Sequence, residues 1–458
     1  MMFDLKDVRV MVVGLGDTGL SMVRWLQRRG ADVRATDSRA APPHAATLRR
    51  ELPQVPLALG VAPDAGGIDM IAVSPGVDRR AGAIAQAAAR GVEVVGDVEL
   101  FAQALAVRSD VPPVIAITGS NGKSTVTALA GEICRAAGLR PVVAGNIGLP
   151  VLDALAEIED GAPLPGVFVL ELSSFQLEST ISLQPRAATV LNLSEDHLDR
   201  YDGMREYAAA KKRIFAGGGT QVLNRQDAWS DAMALPSRRV VRFGLDAPRD
   251  AEGWGIVDAA GEKTMMRGDV VLAPVAALRV AGLHNAANAL AAGALCRAIG
   301  VDDAAITRAW QEFCGLPHRV KIINKINDIE FYDDSKGTNV GATVAALDGM
   351  PQPVVLIAGG DGKGQDFSPL AAAARRKARA VVVIGRDGGR IAAAIGQGVP
   401  LLRAADMTQA VELAFNAAQA GDAVLLSPAC ASYDMYRNYI HRAQVFADAV
   451  TALQRRCA

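Results

Sequence analysis

The sequence is poor in cysteine, in aromatic residues and in long apolar runs. Its cysteines are far apart and form no Cys-x-x-Cys pair; they are Cys134, Cys296, Cys314, Cys430 and Cys457. This spacing argues against a disulfide framework and against a zinc site built from thiolates, and it is typical of a reducing compartment. Because only 5% of the residues are aromatic, the cores must consist mainly of alanine, valine, leucine and isoleucine.

The sequence also lacks an excess of either charge, since 48 basic and 49 acidic residues nearly balance among its 458 residues. This balance gives no basic footprint for nucleic acid, so we expect no such partner. No apolar run approaches the roughly 20 residues that cross a bilayer, so we expect no membrane span. Residues 1–6 lack the basic and then apolar layout of a signal peptide, and we predict a cytoplasmic protein.

The most informative stretch is the loop 118–125, Thr-Gly-Ser-Asn-Gly-Lys-Ser-Thr, between a predicted buried strand and a predicted helix. Such a loop points backbone N–H groups and a helix N-terminus at a phosphate. Lys123 can reach the terminal phosphates, and the Ser124 hydroxyl is placed to bind Mg²⁺. Ile117 stands where the general motif has its first glycine, so the motif alone is a shortened one. The alternative is a glycine turn with an exposed lysine.

A second glycine loop, residues 14–19, follows the predicted strand 8–13, and Asp37 ends the next strand. Gly-x-Gly-x-x-Gly followed by an acid is the dinucleotide-binding fingerprint. It predicts a pyrophosphate on the helix N-terminus and Asp37 near a ribose or base. NAD and a nucleoside diphosphate both fit, and the alternative is a turn that only allows close helix packing.

Acidic residues follow two apolar strands after the phosphate loop. Glu171 closes strand 167–171, where an acid is the usual partner of nucleotide-bound Mg²⁺, although it could also cap a helix. His197 lies among carboxylates in 194–199 after the next strand. Mg²⁺ prefers oxygen ligands, so a histidine ligand would weaken discrimination against Mn²⁺. Lys211, in a basic run, is by default a lysine on a solvated helix face.

The remaining chain alternates apolar strands with alanine-rich helices, and the strands end in loops of Gly, Ser, Asp or Lys. Asn285 and Asn288 share one helix face and could either read an adenine edge or cap the helix. The pattern predicts an α/β protein of three domains with mostly parallel sheets. We expect a Rossmann-like domain over 1–109, a central P-loop-type mononucleotide-binding domain over 110–315, and a second Rossmann-like domain over 316–458.

Taken together, the motifs resemble the Mur ligase family, and within it the branch that adds D-glutamate. The resemblance covers nearly the whole chain, and the segments that carry it are 14–19, 118–125, 145–148, 171–178, 195–201, 315–319, 334–336 and 427–432. The shortened phosphate loop is normal in this family. The resemblance implies an ATP-dependent ligase that adds D-glutamate to UDP-N-acetylmuramoyl-L-alanine through an acyl phosphate. This is a cytoplasmic step of cell-wall peptidoglycan synthesis, on which cell shape and division depend.

The resemblance also implies roles for individual residues. Catalysis would involve Lys123, His197 and Lys211. ATP would be bound by Gly119, Asn121, Gly122, Lys123, Ser124, Thr125, Asn285, Asn288, Arg319, Asp334 and Lys336. The UDP-linked substrate would contact Gly14, Asp17, Thr18, Asp37, Ser38, Arg39, Ser74, Asn146 and Ser173. D-glutamate would contact Thr338, Lys363, Ser432 and Tyr439. Two Mg²⁺ ions, with Mn²⁺ tolerated, would be held by Ser124, Glu171, His197 and Lys211 as its carbamate.

Tyr439 departs from the family pattern, where we expect phenylalanine, because it keeps the ring but adds a hydroxyl. We expect a monomer. Two other interpretations stay open: another amide ligase of the superfamily, such as a folylpolyglutamate synthase or the diaminopimelate-adding Mur enzyme, and an NAD-binding sensor or dehydrogenase. The second of these leaves Lys123, Glu171 and His197 without a role.

Overall fold

The computed structural model describes residues 5–80, 82–259, 261–280 and 282–457. Residues 1–4, part of the stretch from which we predict no signal peptide, lie outside the described residues. The described strands form three sheets. Each sheet with its helices is called a unit here: the first, the central and the third.

The first unit is a parallel sheet with the strand order β3-β2-β1-β4-β5. Its strands are β1 (Arg9–Val13), β2 (Asp32–Asp37), β3 (Leu57–Leu59), β4 (Met70–Val73) and β5 (Glu93–Val95). Its helices are α1 (Asp17–Arg28), α2 (Ala45–Glu51), α3 (Gly82–Ala89) and α4 (Asp97–Ala106). The loop 14–19 therefore leads from the carboxyl end of the middle strand into α1, as the fingerprint predicts.

The central unit begins with β6 (Val114–Thr118), α5 (Lys123–Ala136), β7 (Pro141–Gly145), α6 (Val151–Glu159), β8 (Val167–Glu171), α7 (Ser174–Glu178) and β9 (Ala187–Val190). It continues with α8 (Met204–Lys212), β10 (Thr220–Asn224), α9 (Ala228–Asp231), β11 (Val240–Phe243), β12 (Trp254–Ala259), β13 (Glu262–Arg267), β14 (Val270–Pro274), α10 (Leu283–Ala298) and α11 (Asp303–Glu312). Short 3-10 helices cover Arg213–Phe215 and Val275–Ala277.

The central sheet has the order β14-β13-β12-β11-β10-β9-β6-β8-β7. It is parallel from β7 to β12, and β12, β13 and β14 form an antiparallel extension at one edge. The register pairs Ile117 with Glu171 and Thr118 with Val190. The phosphate loop after β6 therefore lies between the carboxyl ends of β8 and β9, where open α/β sheets bind ligands.

The third unit contains β15 (Lys321–Ile326), β16 (Ile329–Asp333), α12 (Val340–Gly349), β17 (Val354–Gly359), α13 (Ser368–Lys377), β18 (Ala378–Ile384), α14 (Gly388–Ile395), β19 (Leu401–Arg403), α15 (Met407–Ala417), β20 (Ala423–Leu426) and α16 (Tyr439–Cys457). A 3-10 turn covers Gly396–Gly398. The order is β15-β16-β20-β17-β18-β19, antiparallel only between β15 and β16.

The apolar core is shared between the first and central units. One cluster of buried side chains runs from β1 and α1 through α4 to α6 and β8. Phe101 of α4 and Phe168 of β8 meet edge to face with ring centroids 5.1 Å apart. The third unit has separate cores on the two faces of its sheet. The first and central units thus pack as a continuous body, whereas the third meets them chiefly through polar contacts.

The described residues form the predicted α/β architecture of mostly parallel sheets. None of the helices in this part of the chain is both long and apolar enough to cross a bilayer. The domain boundaries 1–109, 110–315 and 316–458 stay a prediction.

Candidate active site

The phosphate loop is positioned by Asn192, which follows β9, and lies next to Asn288 of α10. Ser120 donates its backbone N–H to the Asn192 carbonyl (2.9 Å), and Asn121 donates its own to Asn192 Oδ1 (2.8 Å). Gly122 has φ +83°, and a Cβ there would lie 2.5 Å from Asn288 Oδ1. Glycine is therefore required by both conformation and space. Asn192 was not a predicted site residue, yet its carbonyl and its side chain both accept N–H groups of this loop.

Two lysines converge on the loop carbonyls. Lys123 Nζ donates to the carbonyls of Gly119 and Ser120, each at 2.9 Å. Lys211 Nζ donates to Thr118 Oγ1 (3.2 Å) and to the Gly119 carbonyl (3.0 Å). Burial lowers the pKa of Lys123. Burial, and then the charge of Lys123, hold the pKa of Lys211 well below its usual value. Lys211 is only 1% exposed, so its expected place on a solvated helix face is wrong.

Glu171 brings a buried carboxylate to the same point. It is 2% exposed, and its Oε1 accepts from Asn146 Nδ2 at 2.7 Å. Its Oε2 is buried without a hydrogen-bond partner. The nearby helix α7 is capped by Ser173, whose hydroxyl accepts from the Gln176 backbone N–H. Glu171 therefore does not cap a helix, and its unpaired oxygen is the kind of ligand that Mg²⁺ prefers.

His197 lies beside Asp196 and close enough to Lys123 and Lys211 to feel their charge. Its backbone is left-handed, with φ +55°, and its ring packs edge to face on Phe175 with centroids 4.7 Å apart. Nε2 lies 3.6 Å from Asp196 Oδ2. Burial lowers the pKa of His197 to about 4, so the ring is neutral near pH 7 and a nitrogen lone pair is available to a metal.

In the part of the chain that the structure describes, no group of three or more His, Cys, Asp or Glu side chains could hold a metal ion. The predicted ligand set is of another kind, because Ser124 contributes a hydroxyl and Lys211 enters only as a carbamate. Glu171 and His197 alone belong to the usual ligand types. The unpaired Glu171 oxygen and the neutral ring nitrogen nevertheless fit a divalent cation beside bound phosphates.

Loops of the third unit reach the phosphate loop directly. Arg319 donates to Ser124 Oγ at 3.0 Å, and Asn339 Nδ2 donates to Asn121 Oδ1 at 3.0 Å. Lys363 forms an ion pair with Asp196. Asn339 and Asp196 were not predicted as site residues, because the partners of their side chains are distant in the chain. The third unit therefore contributes both cations and amides to the same center as β6, β8 and β9.

A cavity of about 370 Å³ lies between the central and third units. The predicted ATP-binding residues that line it are Asn121, Gly122, Thr125, Asn285, Asn288, Arg319 and Asp334. Asn288 Nδ2 donates to Asn285 Oδ1 at 3.3 Å, and Gly282, which precedes α10, has no side chain to cap that helix. Burial raises the pKa of Asp334 to about 7, and Ser427 Oγ donates to it at 2.7 Å. His284 also lines this cavity and was not predicted.

The predicted D-glutamate residues lie on neighbouring loops of the third unit. The loops after β17 and β20, which carry Lys363 and Ser432, are joined by reciprocal Asp361 and Ala431 backbone bonds of 3.0 and 2.8 Å. Tyr439 begins α16, and Lys336 Nζ lies 3.9 Å from its ring centroid. Thr338, half-buried after β16, donates its backbone N–H to the Lys336 carbonyl. Lys336 thus faces an aromatic ring, and it is not among the residues that line the 370 Å³ cavity.

A second cavity, of about 500 Å³, opens between the first and central units. Among the residues predicted to contact the UDP-linked substrate, Asp17, Thr18 and Asn146 line this cavity, whereas the following do not: Gly14, Asp37, Ser38, Arg39, Ser74 and Ser173. Arg24, His44, Thr47, Asp153 and Gln176 line it as well and were not predicted. His44 Nε2 lies 2.6 Å from Asp17 Oδ1.

Asp37 is tied to the glycine loop of the first unit. Its Oδ2 accepts the Leu15 backbone N–H at 2.7 Å, and Arg39 holds the pKa of its carboxyl down to about 2. Ser74 Oγ donates to the Gly14 carbonyl at 2.8 Å. Asp37 and Ser74 therefore shape the glycine loop 14–19.

Similarity to known proteins extends over nearly the whole chain. Three family models match: Mur ligase MurD-like, N-terminal domain, over 8–96; Mur ligase middle domain over 117–296; and Mur ligase, glutamate ligase domain, over 318–430. A UDP-N-acetylmuramoylalanine–D-glutamate ligase of Thiobacillus denitrificans is 59% identical over 98% of this chain and 97% of its own. One of Methylobacillus flagellatus is 56% identical over 99% of each.

Solved structures support the fold. The UDP-N-acetylmuramate-alanine ligase MurC from Thermotoga maritima superimposes with a TM-score of 0.60 at 20% identity, covering 97% of this chain and 99% of its own. A pseudomurein peptide ligase type C from Methanothermus fervidus gives 0.60 at 18% identity, covering 98% and 100%. Since the sequence matches extend over all three units at high identity, the chain belongs to the Mur ligase family, among its UDP-N-acetylmuramoylalanine–D-glutamate ligases.

Proposed function

We propose that the chain is an ATP-dependent ligase that joins D-glutamate to UDP-N-acetylmuramoyl-L-alanine in peptidoglycan precursor synthesis. The observation that carries the proposal is the full-length similarity to relatives that bear this name. The bonds from the third unit to the phosphate loop, and the cavity between the first and central units, support it, because this reaction must bring three substrates together.

In the proposed reaction the L-alanine carboxylate attacks the γ-phosphorus of ATP, the bond to ADP breaks, and an acyl phosphate forms. The D-glutamate amine then attacks the acyl carbon and loses a proton, and phosphate leaves as the amide forms. Lys123 would exchange the Gly119 and Ser120 carbonyls for phosphate oxygens. With the loop N–H groups it would stabilise the transferring phosphoryl group.

ATP and Mg²⁺ suit the donor set. Ser124 and the unpaired Glu171 oxygen would hold the ion of the nucleotide, and His197 with a Lys211 carbamate would hold a second, with Mn²⁺ tolerated. When bound, these ions neutralise phosphate charge. Burial holds the pKa of Lys211 well below its usual value and so favours the neutral amine, the form that can add to CO₂ with loss of a proton. The resulting carbamate would attract a cation that an ammonium repels.

The three units divide the substrates. We assign the UDP-linked substrate to residues 1–109 with Asn146 and Ser173, ATP to the central residues 110–315, and the closure on ATP to Arg319, Asp334 and Lys336. Residues 316–458 would also hold D-glutamate through Thr338, Lys363, Ser432 and Tyr439. We further propose that the enzyme acts as a monomer in the cytoplasm.

The proposal predicts phosphate release from ATP that requires both UDP-N-acetylmuramoyl-L-alanine and D-glutamate. Omission of either substrate should abolish release, and L-glutamate or meso-diaminopimelate should not replace D-glutamate. Equal turnover with either replacement would contradict the proposed specificity. The Lys123→Ala variant should lose turnover, while calorimetry should show unchanged binding of the UDP-linked substrate. Loss of both would contradict the assignment of substrates to units.

A further inference from the structure

A buried carboxylate lies where the first unit meets the central unit. Asp97 is the first residue of α4 and is only 1% exposed. Its Oδ2 accepts a hydrogen bond from Gln176 Nε2 at 3.2 Å, and its Oδ1 is buried without a partner. A Cβ at Gly96 would overlap Ser179 Oγ, so glycine lets α4 begin this close to α7. Gln176 is the partner that the Asp97 side chain meets across this interface.

Docking of α4 is provided elsewhere on the same helix. Glu99 accepts the backbone N–H groups of Ile181 (2.6 Å) and Ser182 (2.9 Å), and the Ser182 hydroxyl (2.7 Å). Asp97 adds little to this attachment, and burial raises the pKa of its carboxyl to about 6. Because a buried acceptor without a partner is destabilising, the unpaired Asp97 oxygen lowers the stability of this interface. The position of Asp97 therefore calls for another explanation.

That explanation lies in the amide it contacts. Gln176 Oε1 accepts from the Ser173 backbone N–H (3.1 Å) and from Ser173 Oγ (3.2 Å). An ionised carboxylate only accepts hydrogen bonds, so Gln176 must turn its NH₂ group toward Asp97 and its oxygen toward Ser173. One N–H of that group is used on Asp97, which leaves the second free. Gln176 lines the 500 Å³ cavity beside Asn146.

We propose that Asp97 is a positioning residue for the UDP-linked substrate: it fixes the orientation of the Gln176 amide, whose second N–H then donates to an oxygen of the ligand in this cavity. The inference rests on the proposed function and names a residue outside the predicted substrate contacts. Asp97 touches no substrate itself. Its effect passes through Gln176, so the two residues must act as one unit.

The test compares Asp97→Leu, Asp97→Asn, Gln176→Leu and the Asp97→Leu/Gln176→Leu double variant at pH 8, where Asp97 is ionised. Leu removes the acceptor and should raise the KM for UDP-N-acetylmuramoyl-L-alanine about tenfold, with kcat and the KM for ATP unchanged. Asn keeps an acceptor without enforcing the amide orientation, and its KM should fall between the parent and Leu. In the Gln176→Leu background, Asp97→Leu should raise KM no further.

Glu99→Gln is the matched control, because it alters the attachment of the same helix without touching Gln176. It should lower the melting temperature and leave every KM unchanged. Additive effects of the two Leu substitutions, or a parental KM in Asp97→Leu, would overturn the proposal. If Asp97→Leu does not fold, Asp97→Asn, which keeps the side-chain volume, takes its place. A parental KM for UDP-N-acetylmuramoyl-L-alanine in Asp97→Asn would then overturn the proposal. A parent protein without D-glutamate-dependent turnover would instead contradict the proposed function.

Discussion

At the scale of single residues, the site places charged groups where water cannot reach them. Lys211 is buried beneath the phosphate loop with its pKa lowered, beside the unpaired Glu171 oxygen. The adjacent residue in the chain, Lys212, does not share this environment, because its side chain is exposed. Sequence motifs could mark Lys211 only through the family resemblance, because the basic run by itself predicts a solvated face. Burial of a side chain depends on what packs over it.

The Lys211→Ala variant should lose about 100-fold or more of its turnover, because the proposed carbamate would no longer attract the second cation. Added formate or acetate should restore part of the activity by supplying a carboxylate in the vacated volume. Steady-state phosphate release with and without the added acid measures the effect. Lys212→Ala is the matched control and should keep parental activity. A fully active Lys211→Ala enzyme would contradict the carbamate.

At the scale of elements, glycines at strand ends decide how close the loops can come. Sequence patterns located the strands and helices well, because buried parallel strands are continuous apolar runs with glycine or acidic residues at their ends. The antiparallel extension β12–β14 was not predicted from the sequence. Its partners are set by packing against α10 and α11, which local sequence does not encode.

Gly122→Ala should lower kcat/KM for ATP about tenfold or more, because a Cβ at φ +83° would press on Asn288 and shift the loop. Binding of the UDP-linked substrate should be unchanged in calorimetry. Gly138→Ala is the control. Gly138 follows α5 at φ +75°, and no atom lies within 4 Å of a Cβ there, so this variant has backbone strain without a new contact. It should lose about 1 kcal/mol of unfolding free energy and keep parental kinetics. Equal kinetic loss in both variants would show that backbone strain, not the contact, matters.

At the scale of the whole molecule, polar contacts connect the third unit to the phosphate loop. The pair Lys363–Asp196 joins the predicted D-glutamate loop to the residue before His197, and both side chains are largely buried. Arg319 and Asn339 add bonds to Ser124 and Asn121. Since apolar packing is shared between the first and central units instead, the third unit is the part expected to move during catalysis.

Lys363→Met should open the ligand-free molecule, because Asp196 would lose the cation that compensates its burial. Small-angle scattering should show a larger radius of gyration, and the KM for D-glutamate should rise about tenfold or more. Lys325→Met removes an exposed lysine paired within the third unit and should change neither quantity. Parental scattering and KM in Lys363→Met would contradict both the contact and its role.

The sequence by itself determined the α/β class, the phosphate loop, the glycine fingerprint and the family, because these depend on local periodicity and on residues a few positions apart. Only the tertiary structure decided that Asn192 shapes the phosphate loop and that Asp97 reaches Gln176. These contacts join residues far apart in the chain. Their strength comes from burial, which exists only once the sheets have packed.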